Sequence, residues 1–148
     1  MTTIVYRDGV LASDTRETFE DPDCGTRYRD DCEKVFELVG GGYIAGSGDS
    51  AGLDLWLDCF NNPNNEDRRW NLLEYQSHYV LWWDKSGLWV SDETLVLHDI
   101  SGVEFYAIGS GAKVAMGALH MGADAETAVR IASQVDPYTS NIVRSYRL

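Results

Sequence analysis

The sequence predicts a layered α+β domain, and three observations point to it. Short strand-like runs open the chain and are joined by tight turns. Twice, a Gly-Ser-Gly step (Gly46-Ser47-Gly48 and Gly109-Ser110-Gly111) leads from a strand into an apolar-striped helix. The resulting order of strands, helices, strands, helices and strand contains no repeat and no linker long enough to mark a second domain. At 148 residues the chain fits one domain, residues 1–148.

Ile4–Tyr6 and Val10–Ser13 flank Arg7-Asp8-Gly9, and Asp-Gly between apolar runs predicts a hairpin. Residues 19–31 are polar, with Pro22, Gly25 and charges of both signs, and read as a loop. Lys34–Val39 and Tyr43–Ala45 form a second hairpin around Gly40-Gly41-Gly42. Leu53, Trp56, Leu57 and Phe60 then fall at helical spacing until Asn61-Asn62-Pro63-Asn64-Asn65 stops the helix. Residues 68–76 read as a short second helix. A meander follows through Tyr79–Trp83, Leu88–Ser91, Leu95–His98 and Phe105–Ile108, with Val80-Leu81-Trp82-Trp83 continuously apolar, as in a sheet covered on both faces. Ala112, Ala115, Met116 and Leu119 stripe a helix ended by Gly122. Asp124 caps a last helix striped by Ala125, Ala128, Val129 and Ala132, which ends near Asp136-Pro137, and Ile142–Tyr146 closes as a strand.

Composition excludes several function classes. A net charge of −12 with no basic stripe argues against nucleic acid and against an anionic membrane surface. With no apolar run of about 18 residues and no basic n-region at the start, a cytoplasmic protein is expected. Cys24, Cys32 and Cys59 lack C-x-x-C spacing and read as reduced thiols. His78, His98 and His120 lack metal-ligand spacing, so no metal and no cofactor is called for. The tryptophans cluster at Trp70, Trp82, Trp83 and Trp89, with Trp56 apart, and read as core or subunit interface.

The chemistry centres on the first residues. A threonine hydroxyl needs a base, and when threonine is residue one its own α-amine serves. That amine has an ordinary pKa of about 7.7–8, so roughly a tenth or more is neutral at pH 7. Met1 must be removed for Thr2 to take this role, and the small Thr2 side chain permits it. A competing nucleophile is Ser50 in Gly48-Asp49-Ser50-Ala51-Gly52, which fits G-x-S-x-G. Such an elbow needs a mostly parallel sheet, whereas these strands are joined by tight turns.

Six segments in order carry a family resemblance: Thr2-Thr3-Ile4-Val5, Asp14-Thr15-Arg16-Glu17-Thr18, Lys34-Val35, Ile44-Ala45-Gly46-Ser47-Gly48, Tyr106-Ala107-Ile108-Gly109-Ser110-Gly111 and Asp136-Pro137-Tyr138-Thr139. Together the chain resembles the proteasome β-subunit and HslV-type threonine peptidases of the N-terminal-nucleophile hydrolases. The resemblance implies an αββα sandwich of two antiparallel sheets between helix layers. It implies Thr2 as nucleophile, Asp14 and Lys34 as its charged pair and Gly46 as oxyanion donor, with Ser110, Asp136 and Thr139 around the α-amine. Around the specificity pocket it places Glu17, Thr18, Cys32, Phe36, Ile44 and Gly48, which suggests an apolar cleaved residue with some acidic influence. It further implies a peptide or unfolded-protein substrate, a homo-oligomeric ring and a separate ATP-driven unfoldase. The chain departs from the family in a shorter first hairpin, a longer 18–34 segment and a helix pair about two turns shorter. Two alternatives stay open: an inactive ring subunit of the same fold, and an amidohydrolase acting on a small amide.

Overall fold

A computed structural model describes residues 1–48, 50–64, 78–91 and 96–148. The expected helix over 68–76, Asn65, Trp70 and Asp49 lie outside the described residues. The strands are β1 (Thr3–Arg7), β2 (Val10–Asp14), β3 (Glu17–Asp21), β4 (Gly25–Arg29), β5 (Val35–Glu37), β6 (Tyr43–Gly48), β7 (His78–Asp84), β8 (Gly87–Ser91), β9 (Leu97–Asp99), β10 (Phe105–Gly109) and β11 (Val143–Tyr146). The described helices are α1 (Ser50–Asn61), α2 (Ala112–His120) and α3 (Ala125–Val135). They fall into two compact units, Met1–Lys34 with Glu104–Arg147, and Val35–Val103 with Leu148.

The first unit holds an antiparallel sheet in the order β10-β1-β2-β11. Asp8 and Gly9 both have positive φ, 51° and 71°, as the expected two-residue hairpin between β1 and β2 requires. On one face Val5, Ala12 and Ala107 meet Ala115 and Leu119 of α2 and Ala125, Ala128, Val129 and Ala132 of α3. So many alanines leave little side chain between helix and sheet, and the helices lie close. Asp124 caps α3 by accepting the Thr127 amide, and Gly122 ends α2 at φ 98°. Ile4, Leu11 and Ile108, on the other face, are also buried.

Two expectations change here. Most of the polar stretch 19–31 belongs to a two-stranded antiparallel hairpin, β3–β4, that runs from Glu17 to Arg29, rather than to a loop. Asp21 Oδ1 accepts the amides of Asp23 and Cys24 to form its turn, and the Glu17–Arg29 and Asp21–Arg27 ion pairs cross the strands. Phe105–Gly109 does not continue the meander. It leaves it to pair with β1, Thr3 lying opposite Gly109.

The second unit is a five-stranded antiparallel meander, β5-β6-β7-β8-β9. Helix α1 packs Leu53 and Trp56 against Ile44 and Val80 on one face. Trp56 is not apart from the other tryptophans: Phe60 links it to Trp82, which stacks on Trp89. Trp83 points to the opposite face, where it stacks on Tyr43 beside buried Ala45, Leu81, Leu88 and Val90. The antiparallel pairing of β6 with both neighbours removes the parallel sheet that a Ser50 elbow needs, and Ser50 opens α1 as an exposed residue.

Candidate active site

The first unit brings six of the expected residues to one end of its sheet. Thr2 precedes β1, Asp14 ends β2, Lys34 closes the segment before β5, Ser110 follows β10, and Asp136 and Thr139 follow α3. Gly109 makes room for the first of these. A Cβ there would lie 1.8 Å from the Thr2 carbonyl oxygen, and its φ of 100° suits glycine alone.

Asp14 is fully buried, and both its oxygens are used. Oδ1 accepts the Thr3 amide and the Lys34 ammonium, each at 2.9 Å. Oδ2 accepts the amides of Arg16 at 2.9 Å and Ser140 at 3.0 Å. Lys34, 6% exposed, also donates to the Met1 carbonyl at 2.9 Å. Burial pulls the Lys34 pKa below its ordinary value, and Asp14 opposes the shift. The Met1 amine, which donates to Thr18 Oγ1 at 3.2 Å, is likewise lowered from 8.0, first by burial and then by Lys34.

A second network reaches Thr3 and the Thr2 carbonyl. Asp136 Oδ2 accepts the hydroxyls of Ser110 at 2.5 Å and Thr139 at 2.7 Å, and Thr3 Oγ1 lies 2.6 Å from Thr139 Oγ1. Because the Thr139 proton goes to Asp136, Thr3 is the donor in that last contact. Burial pushes the Asp136 carboxyl upward, but hydrogen bonds from Ser110, Thr139 and the Tyr138 amide outweigh it, so its pKa falls below the ordinary value. Ser110 does not cap α2: Gly111 holds that position, while the Ser110 hydroxyl turns to Asp136 and lies 3.4 Å from the Thr2 carbonyl oxygen.

Of the residues expected around the substrate, Glu17, Thr18 and Cys32 belong to this unit. Glu17 binds Arg29 at 2.8 Å, and burial followed by Glu17 raises the pKa of the Cys32 thiol, which keeps it protonated. Gly46, Phe36, Ile44 and Gly48 belong to the second unit. Gly46 pairs with Val80, Ile44 is fully buried in the core under α1 with Phe36 packed against that core, and Gly48 is exposed. Sequence reading missed Thr3, Thr15, Arg16 and Ser140, all of which bind Asp14 or its supports. The signal available was that Thr3, Thr15 and Arg16 sit inside the quoted motifs and Ser140 directly follows one.

No protein-family model and no curated protein matches the sequence. Solved structures do. Eukaryotic HslV from Trypanosoma brucei aligns with a TM-score of 0.66 at 15% identity, over 98% of this chain and 97% of that one. The chain has the HslV fold. BPH of Thiobacillus denitrificans shares it at a TM-score of 0.69 and 21% identity, over 99% of this chain and 96% of its own. BPH in complex with epoxomicin aligns at 0.71 and 20%, over 99% and 97%. In this HslV-fold chain the α+β class expected from the sequence stands. Among the described residues no helix is long and apolar enough to cross a membrane.

Proposed function

We propose that the chain is a threonine-type peptidase in which Thr2, exposed by removal of Met1, is the nucleophile. The observation that carries this is the buried Lys34 ammonium, held by Asp14 and bonded at 2.9 Å to the carbonyl just before Thr2. With C=O about 1.23 Å and C–N about 1.33 Å, that ammonium lies within about 5.5 Å of the Thr2 nitrogen. At that distance and an effective dielectric of about 20, it disfavours a charged amine by about 3 kcal/mol. The amine is thereby kept available as a base.

The amine takes the Thr2 hydroxyl proton as Oγ1 attacks the substrate carbonyl. It returns that proton to the departing amine, which leaves an ester on Thr2. Water, deprotonated by the same amine, then cleaves the ester and restores Thr2. Ser110, Asp136 and Thr139 orient the amine. Within the first unit Glu17, Thr18 and Cys32 are the proposed substrate contacts. Subunits would assemble as a homo-oligomeric ring served by an ATP-driven unfoldase, which keeps an unselective peptidase from folded neighbours; light scattering that finds an active monomer would refute the ring.

Thr2→Ala is expected to abolish hydrolysis of fluorogenic peptides and binding of epoxomicin, the ligand of the BPH neighbour, without unfolding the chain. Residual peptide turnover in that variant would overturn the assignment. One observation favours an inactive subunit instead: Met1 is held at both ends, its amine by Thr18 and its carbonyl by Lys34. Intact mass decides, since a chain that keeps Met1 in every molecule has no free Thr2 amine.

A further inference from the structure

The four hydrogen bonds on Asp14 are not equivalent. Oδ1 is shared by Lys34 and the Thr3 amide, so the carboxylate's rotation is set by that amide together with what grips Oδ2. One grip, the Arg16 amide, is two residues away and moves with Asp14. The other, the Ser140 amide, comes from 126 residues along the chain and is the long-range anchor. Ser140 is in turn tied to Thr15. The Thr15 amide donates to Ser140 Oγ at 3.1 Å, and the two hydroxyls share a bond of 2.9 Å. With two protons between them, one hydroxyl donates across that contact and the other to a carbonyl: Thr15 Oγ1 to Asp30 at 3.0 Å, or Ser140 Oγ to Ile142 at 3.2 Å. Thr15 is fully buried and Ser140 is 1% exposed, so no water competes for these bonds.

We propose that Ser140 and Thr15 are a positioning pair for Lys34: their joined hydroxyls hold the Ser140 amide on Asp14 Oδ2, which aims Oδ1, and with it the ammonium, at the Thr2 nitrogen. Neither side chain touches substrate. The proposal rests on the peptidase reading only in what Lys34 is aimed for; the aiming itself is a property of the folded chain.

The charged and titratable groups that act on Lys34 or feel it are Asp14, Glu17, Cys32, Asp30 and the N-terminal amine. Burial lowers its pKa and Asp14 raises it, so a loosened Asp14 lets it fall further. The chain contains three lysines, Lys34, Lys85 and Lys113, so lysine labelled with ¹³C at Cε yields three NMR titrations, assigned with Lys85→Arg and Lys113→Arg. In Ser140→Ala and Thr15→Val the Lys34 midpoint is expected to drop by about half a pH unit to one unit, the worth of one neutral hydrogen bond. Thr15→Ser keeps the hydroxyl and is expected to keep the wild-type midpoint. Peptide turnover is expected to follow, with kcat down about tenfold and KM little changed. A Lys34 midpoint unmoved in both hydroxyl-deleting variants, with only melting temperature reduced, would make the pair ordinary packing and overturn the proposal. If the wild type cleaves no peptide, the proposed function fails, yet the lysine titrations still decide this one.

Discussion

Two acid–base pairs in the first unit have nearly the same geometry. Lys34 binds Asp14 at 2.9 Å, and Arg29 binds Glu17 at 2.8 Å on the β3–β4 hairpin that lies between Asp14 and Lys34 in sequence. The first pair is 6% and 0% exposed and the second 61% and 31%. Distance alone would rank them equal. In water a side-chain pair gains little over its hydration and is screened by salt. Inside, the ammonium is held by Asp14 and the Met1 carbonyl rather than by water, so its placement is set by the fold, and the loss of its carboxylate leaves an uncompensated charge. The difference is between an ion pair that decorates a hairpin and one that holds a charge at the proposed nucleophile.

The largest expected effect comes from stripping the buried pair. Asp14→Ala leaves the Lys34 ammonium unpaired and the amides of Thr3, Arg16 and Ser140 without an acceptor. It is expected to cost about 3–5 kcal/mol in chemical denaturation. Peptide turnover should fall by about 10³-fold or more. A stability loss below about 1 kcal/mol would erase the distinction between the two pairs.

Next in size is a pH effect. The amine works as a base only when neutral, and the Met1 amine already sits below 8.0 through burial and then Lys34. The Thr2 nitrogen, which becomes the terminal amine once Met1 is removed, lies within about 5.5 Å of the same lysine. The kcat/KM of the processed chain should therefore rise with pH, with a midpoint below 8.0, and Lys34→Ala should move that midpoint up. A midpoint that stays put in Lys34→Ala would remove the lysine from the amine's environment.

The smallest effect sharpens the comparison from the other side. Arg29→Ala is expected to leave melting temperature and the pH midpoint nearly unchanged at physiological salt, with any residual difference gone in concentrated salt. A marked loss of stability there would mean the hairpin depends on its ion pair more than its exposure allows.

The sequence made much of the first unit legible because its helices and strands follow simple periods: the alanine stripe of α3, the Asp-Gly turn and the Asp124 cap all appear where expected. The charged residues of the site were legible only through motif order, since no spacing connects Asp14 to Lys34 or Ser110 to Asp136. The β3–β4 hairpin was missed because its strands bury almost nothing, so the alternation that marks a strand is absent and only cross-strand pairs and an Asp21 turn define it. Ser140 and Thr15 were illegible for another reason. A hydroxyl's role depends on what lies across 125 residues of chain, and serine and threonine are common enough to carry no signal alone.

Gly109 shows how an inert position can imitate a reactive one. The carbonyl of Thr2 occupies the space where any other residue would carry its first side-chain carbon. Even alanine at 109 would have to displace the chain's opening residues, although it would add no charge and remove no functional group. In a mutational screen scored by activity, position 109 would therefore group with nucleophiles and proton carriers, despite contributing no atom to bond making or breaking. Its contribution is a vacancy the width of one methyl group, against which the start of the chain is registered.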